Sequence, residues 1–479
     1  LQYKYLVLTN TTIGAFMSLL DSNIVLVSLP YIIHNLSGTS DFDGIWIIIS
    51  YTLVTAVLLL TIGRLGDIFG RVKLYNLGFA IFTFGSGLCS IASNGISLVV
   101  FRLVQGVGAA LIWSNNAAIL TDAFPASERG RALGFNQVAG ISGSIVGLVA
   151  GGVLTAFLGW RSIFWINLPV GVFATAWAYL KLRDIRPPLK GEGLDIVGNS
   201  LFAGGLSLFL VGLTLGAIEG WGSVQIAEMV VGVVMVGLFA FAETRVKNPM
   251  MDISLFRIKA FTAGAVANLL SSISRSSISL ILVFYFQGIL LYSVLTAGIL
   301  LIPFSIAFVV FGPLSGYLSD KYGPRWFAST GMMVSGVALL MFAVLPYKVP
   351  YPTLAVAMVL AGAGGGMFVA PNVAALMSSV PPARRGIASG ISSTLFSVGS
   401  LLSLGLIFAI FAASIPLPAL QAIFAGQAPP AGSLDVSSFI SAMHEIFLIM
   451  AAMSFICVIP ASQTGTRAPK ETIIYEREG

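Results

Sequence analysis

Gly63-Arg64-Leu65-Gly66-Asp67-Ile68-Phe69-Gly70-Arg71 decides how this chain is read, because it returns in outline as Gly316-Tyr317-Leu318-Ser319-Asp320-Lys321-Tyr322-Gly323-Pro324-Arg325. Glycine, leucine, aspartate and glycine keep their places 253 positions apart. A second echo lies close to that offset. Phe124-Pro125-Ala126-Ser127-Glu128-Arg129-Gly130 answers to Val380-Pro381-Pro382-Ala383-Arg384-Arg385-Gly386, and the same register, 256 positions, sets Asn116 against Asn372. A duplicated half is implied, and parallel halves around a midplane site are a transporter architecture.

Around these motifs the sequence is apolar: of 479 residues, 57% are hydrophobic and 9% charged. A soluble chain carries roughly 25% charged residues, so a soluble enzyme is excluded. The net charge of +6 sits in short clusters between apolar runs, forming no basic domain, and nucleic acid is not an expected ligand. Cys89 and Cys457 each lie inside an apolar run and read as free thiols, so neither a disulfide framework nor a cysteine-held metal is expected. A membrane helix takes about 20 apolar residues. Fourteen runs of that kind are counted, the first near residue 5 and the last near 437. The first continues from Tyr5 to Ile33, too long for a signal-peptide core, and is expected to be a retained span. Their continuous apolarity predicts helices, since membrane strands alternate.

Placing the N-terminus in the cytoplasm puts every lysine and arginine on that side except Arg161 and Lys348 outside and Arg102 and Arg275 within spans. Both termini are then cytoplasmic. The expected fold is an all-α polytopic membrane protein: a six-helix bundle over 1–185, a two-helix insert over 186–258 (spans seven and eight), a second six-helix bundle over 259–462, and a cytoplasmic tail over 463–479. Residues 415 to 436 are expected to be a surface lid or hairpin.

Several motifs together resemble a known family. Leu20-Asp21-Ser22-Asn23-Ile24-Val25-Leu26-Val27-Ser28-Leu29-Pro30 is similar to the pattern Leu-Asp-x-Thr-Ile-Val-Asn-Val-Ala-Leu-Pro, and Gly63 to Lys73 to the loop Gly-x-Leu-x-Asp-Arg-x-Gly-Arg. Arg102-Leu103-Val104-Gln105-Gly106-Val107-Gly108 is similar to Arg-x-x-Gln-Gly-x-Gly. Trp160-Arg161 and Asn167-Leu168-Pro169-Val170-Gly171 match the entry to span six. The chain resembles the major facilitator superfamily and, within it, the fourteen-span drug:proton antiporter branch. That resemblance implies the major facilitator fold, alternating access, a proton gradient as the energy source with no cofactor, and multidrug-type efflux across the cell (plasma or inner) membrane. One departure is present: the antiporter motif Gly-x-x-x-Gly-Pro-x-x-Gly-Gly reads here Gly143-Ser144-Ile145-Val146-Gly147-Leu148-Val149-Ala150-Gly151-Gly152, with leucine for proline.

Gly143, Gly147, Gly151 and Gly152 form a small-residue stripe that admits a neighbouring helix. In the repeated loop Gly63, Gly66 and Gly70 permit a tight turn, and Asp67, with Arg64, Arg71 and the matching Asp320, carries its charge. The resemblance implies that this loop latches the bundles together in one access state. Ionisable residues inside spans mark function, because a charge in hydrocarbon costs several kcal/mol without a partner or cavity. Asp21 is the candidate proton carrier, Arg102 its candidate partner and Glu445, beside His444, a weaker proton site. Arg275 is expected to line a cavity with Asn268, Ser271, Ser272 and Ser279. Asn23, Gln105, Trp113, Asn116, Asn268, Ser271, Ser272, Arg275, Tyr285 and Asn372 are the candidate substrate contacts.

No Gly-x-x-x-x-Gly-Lys-[Ser/Thr] stretch occurs, which leaves an ion gradient as the expected drive. With only His34 and His444 and no His-Glu-x-x-His, metalloprotease chemistry has no ligands. The reading is therefore a secondary transporter, not an enzyme, with the bilayer, protons and an amphipathic small molecule as partners, and a monomer. An uptake symporter or facilitator and a non-transporting sensor are the alternatives. The basic balance of the membrane interior, Arg102 and Arg275 against Asp21, favours neutral or anionic substrates.

Overall fold

The structure, a computed structural model, describes all residues except 1, 40, 126–127, 186–194, 247–250, 277, 382–384, 425–435 and 465–479, and leaves out some side chains within helices, Asp67 and Asp320 among them. The described chain is helical throughout. The first half comprises α1 (Tyr3–Asn35), α2 (Asp41–Phe69), α3 (Arg71–Ser90), α4 (Gly95–Ala123), α5 (Arg129–Leu158), the short α6 (Ser162–Trp165) and α7 (Asn167–Lys181). Two helices follow, α8 (Ile196–Glu219) and α9 (Ser223–Glu243). The second half runs through α10 (Lys259–Arg275), α11 (Ile278–Phe284), a π turn over Tyr285–Ile289, α12 (Val294–Leu300), α13 (Ile302–Tyr322), α14 (Pro324–Val344), α15 (Tyr351–Ser378), α16 (Arg385–Ser414), α17 (Leu417–Phe424) and α18 (Val436–Gln463).

Among the described residues twelve helical stretches are long and apolar enough to cross a membrane. The helix α3 falls outside that set although it covers 20 residues, and α2 contributes the apolar stretch Asp43–Leu59 among its described residues. Arg71 and Lys73 in the first turn of α3 dilute its apolar run.

The duplicated sequence is a duplicated structure. Gly70, between α2 and α3, has φ +103°, and Gly323, between α13 and α14, has φ +94°, a region only glycine enters freely. Asn116 on α4 donates to the Thr11 carbonyl of α1 at 2.8 Å, and Asn372 on α15 donates to the Gly264 carbonyl of α10 at 3.1 Å. Each half thus ties its fourth crossing to its first through the same buried amide. The α8 helix packs on α2 and α16, and α9 packs on α8, with Trp46 donating to Thr214 Oγ1 at 3.2 Å and Thr61 to Asn199 Oδ1 at 2.6 Å. The insert therefore flanks both halves from one side.

The face where α1 begins is called proximal here and the opposite face distal. At the distal half one apolar core runs through both bundles, from Leu20–Leu36 and Ile45–Val57 to Ile278–Ile289, Ala338–Leu345 and Leu401–Ile415. At the proximal half the cores are separate: Val7, Val72, Tyr75 and Ala178 belong to one, Leu255, Phe261, Leu376 and Ile391 to another. The bundles interlock at distal backbone contacts. A Cβ on Gly152 would lie 2.8 Å from Leu295 Cα, and one on Gly298 would lie 2.6 Å from the Leu148 carbonyl oxygen. Gln287, in the π turn, donates to the Val27 carbonyl across the interface at 2.9 Å. Among the described residues the bundles interlock distally, and their proximal cores are separate.

One expectation changes. The segment 415–436 is not a surface hairpin where it is described: α17 occupies Leu417–Phe424, and Ile415, Ala419, Leu420 and Ile423 are buried in the shared core. The ninth expected span corresponds to the stretch Lys259–Ile289.

Candidate functional site

The site forms inside the first bundle, where five segments converge on one carboxylate. Asp21 on α1 is fully buried and Arg102 on α4 is 2% exposed. Arg102 Nη1 donates to Asp21 Oδ2 at 2.7 Å and to Gln105 Oε1 at 2.6 Å. Gln105 Nε2 donates to Asp21 Oδ1 at 2.9 Å, and Asn167 Nδ2 donates to the same oxygen at 2.7 Å. Ser86 on α3 accepts from Gln105 at 3.2 Å and from Asn167 at 3.0 Å, and donates to the Phe164 carbonyl. Arg102 also donates from Nε to the Ile47 carbonyl of α2 at 3.3 Å, and its guanidinium lies 4.1 Å from the Tyr51 ring centroid.

Local sequence explains the convergence. Asn94 starts α4 with a reciprocal cap, accepting from Ser97 N while Ser97 Oγ accepts from the Asn94 N–H. That cap fixes where Arg102 and Gln105, one helical turn apart, emerge on one face. Glycines then bring the helices close: a Cβ on Gly85 of α3 would lie 2.7 Å from Gln105 Cα, and one on Gly147 of α5 2.6 Å from the Leu20 carbonyl oxygen. Gly143 and Gly151 approach the carbonyls of Phe16 and Ile24 in the same way, so this stripe seats α5 on α1, while Gly152 faces the other bundle.

Chemically, every neighbour of Asp21 is a donor. An ionised carboxylate only accepts, and here its acceptor sites face a guanidinium and two amides. A proton arriving at Asp21 has to displace one of them, and releasing Arg102 is the change with the largest electrostatic consequence. The arrangement ties the packing of α1 on α4 to the charge of one carboxylate.

The other candidates distribute as follows. Gln105, expected at the substrate, is a buried member of the Asp21 cluster. Asn116 and Asn372 are the buried interhelical ties described above, not cavity groups. Asn23 donates to the Leu19 carbonyl of its own helix, Tyr285 to the Tyr347 carbonyl, and Trp113 packs half-buried against the proximal core of the first bundle. The predicted stripe on span nine splits: Asn268 donates to the Ser392 carbonyl at 2.7 Å and Ser272 to the Phe396 carbonyl at 2.5 Å, both on α16. Ser271 stays with Arg275, accepting from its Nε at 3.1 Å. Glu445 is exposed on α18, outside the Asp21 cluster, and His444 contacts the Leu345 carbonyl at 2.8 Å.

In the repeated loop, Arg71 pairs with Asp122 at the end of α4, at 2.7 Å, and Asp184 accepts from Val72 N at 2.8 Å. Gly66 lies against the Asn115 side chain. Gly63 lies near Ser114, Arg64 is half-buried, and the side chains of Asp67 and Asp320 lie outside the described residues. These partners all belong to the first bundle.

The Asp21 group is confined to one half of the duplication. At offsets of 253 and 256 its counterparts are Ser274 for Asp21, Met358 for Arg102 and Ala361 for Gln105. Sequence reasoning missed Ser86, Tyr51 and the Ile47 carbonyl, which no local pattern singles out. Asn167 stands in the quoted Asn-Leu-Pro-Val-Gly stretch, and a lone amide opening an apolar run was the signal for it.

The family model of the Major Facilitator Superfamily matches residues 11–242 and 264–473. The riboflavin transporter RibZ of Clostridioides difficile is 31% identical over 420 residues, covering 87% of this chain and 90% of that one. The multidrug resistance protein Stp of Mycobacterium tuberculosis is 31% identical over 415 residues, covering 86% of this chain and 76% of the relative. The tetracenomycin C resistance and export protein of Streptomyces glaucescens is 27% identical over 492 residues, covering 96% and 91%. With its duplicated helical halves and these relatives, the chain belongs to the Major Facilitator Superfamily and to its drug-efflux branch, a multi-pass membrane transporter and not an enzyme.

Proposed function

We propose that the protein exports hydrophobic or amphipathic small molecules across the plasma membrane in exchange for protons. It works by alternating access, with fourteen spans, the proximal face in the cytoplasm and Asp21 as the proton carrier. The observation that carries this reading is the buried ion pair: Asp21 Oδ2 stands 2.7 Å from Arg102 Nη1, and two more donors close the other oxygen. A buried pair of this kind is weak as a stabilising device, and breaking it is strongly consequential, which suits a switch better than a strut. The sealed distal and parted proximal halves are one end state of such a cycle, ready to take substrate from the proximal side. Drug-resistance and export relatives support the direction.

The test is transport in sealed vesicles with an imposed pH gradient. Wild-type protein should drive accumulation of a hydrophobic dye against its gradient when the proton gradient opposes it. Asp21→Asn should abolish that accumulation while passive exchange of the dye persists. Equal gradient-driven accumulation by the Asp21→Asn protein removes Asp21 from the coupling, and accumulation with the gradient reversed turns the reading into uptake.

A further inference from the structure

The second buried arginine is arranged unlike the first. Arg275 is the last residue of α10, half-buried in mid-span. Its Nε donates to Ser271 Oγ, and its two terminal nitrogens reach no protein acceptor among the described residues. Arg102, by contrast, is bonded to a carboxylate, an amide and a backbone carbonyl. No described carboxylate pairs with Arg275, and the place matching Asp21 in this half holds Ser274.

A purely structural account would have Arg275 cap the C-terminal carbonyls of its own helix. Two carbonyls near that end are already served. Ser274 Oγ donates to the Ser271 carbonyl at 3.1 Å, and Ser276 N donates to the Ser272 carbonyl at 3.1 Å. On α15 the facing position is Gly365, where a Cβ would come within 3.1 Å of Nη1, and the Phe308 ring of α13 lies 5.5 Å from the guanidinium carbon. The result is a cation with open donors beside an apolar ring, at the depth where a transported molecule is held.

We propose that Arg275 recognises the anionic group, a carboxylate, sulfonate or phosphate, of an amphipathic substrate. Its two free nitrogens fork onto the anion's oxygens, and Phe308 meets the apolar part. The inference rests on the transport reading but is tested by binding alone, so loss of coupling and loss of recognition are separable.

The experiment uses the full chain in phosphatidylcholine nanodiscs, where no lipid carries net anionic charge. Radiolabelled 2-naphthalenesulfonate is the probe, with 2-naphthalenemethanol and a 2-naphthylmethyl trimethylammonium salt as neutral and cationic competitors of similar shape. Wild-type protein should bind the sulfonate about ten-fold more tightly than either competitor, the scale of a charge-assisted forked contact. Arg275→Gln should remove that preference. Arg275→Lys, which keeps the charge without the fork, should retain only part of it and serves if the glutamine variant does not fold. Wild-type protein that binds the sulfonate no better than the alcohol, whether both bind or neither does, overturns the proposal. So does a preference that survives intact in Arg275→Gln, or in Arg275→Lys where only that variant folds.

Discussion

Arg102 holds four different groups, and removing it leaves Asp21 buried with two neutral amides. Stranding a buried charge in this way costs about 3–5 kcal/mol, so Arg102→Ala should lower the unfolding temperature markedly. The second half of the molecule shows a way to fill the same space without charge, since its counterparts are Ser274 and Met358. Asp21→Ser combined with Arg102→Met should therefore regain most of the lost stability, read as the unfolding transition in nanodiscs, while remaining dead in gradient-driven transport. A double variant as unstable as Arg102→Ala would show that the cluster is held by more than its charge balance. At this scale the sequence announced the charged members, because aspartate and arginine inside apolar runs are expensive and conspicuous. It misassigned Gln105, since an amide beside a glycine motif looks the same whether it faces a ligand or a carboxylate. Ser86 is invisible for a related reason: a single hydroxyl can satisfy itself on its own helix, as Ser18 and Ser22 do here.

Between elements, glycine decides which helices touch. Gly147 meets the Leu20 carbonyl within the first bundle, and Gly298 meets the Leu148 carbonyl across the bundle interface. Both contacts are to backbone oxygen, which cannot step aside as a side-chain tip does. Gly147→Val should accordingly destabilise the whole protein by about 1–3 kcal/mol through overpacking. Gly298→Val should spare each bundle and destabilise only the distally sealed state, seen as faster thiol labelling of a cysteine at Leu295 with little change in unfolding temperature. Equal effects of the two variants on unfolding would mean that the distal contact is part of one undivided core. The glycine stripe on α5 was legible because a spacing of four lays residues along one helix face. The stripe on α10 was only half legible. Residues 268, 272 and 276 turn to α16 while 271 and 275 turn away, and adjacent rows a hundred degrees apart are both polar, so spacing alone does not say which one a neighbour covers.

On the scale of the whole molecule, the duplication was readable from two short motifs because loops at helix junctions need particular residues: Gly70 and Gly323 are held at positive φ in both copies. Which face is sealed was not readable, because apolar residues fill the distal and proximal halves alike and both packings bury them. That choice rests on small differences between states, and the proximal ion pairs are where they are accessible to test. Arg71 is held to Asp122, the two side chains 24% and 9% exposed, so in this state the repeated loop is tied to α4 of its own bundle. If the loop closes the proximal side by changing partners, weakening this pair should release Arg71 and favour the distally open state. Asp122→Asn should shift the population several-fold, the equivalent of about 1 kcal/mol for a partly exposed pair. The readout is thiol labelling from the distal side at Leu148→Cys, 1% exposed in the sealed state, in a protein whose buried Cys89 and Cys457 are replaced by alanine. Labelling should rise several-fold in the Asp122→Asn background. An unchanged rate would mean that the Arg71 pair holds α3 to α4 and has no part in the exchange of access.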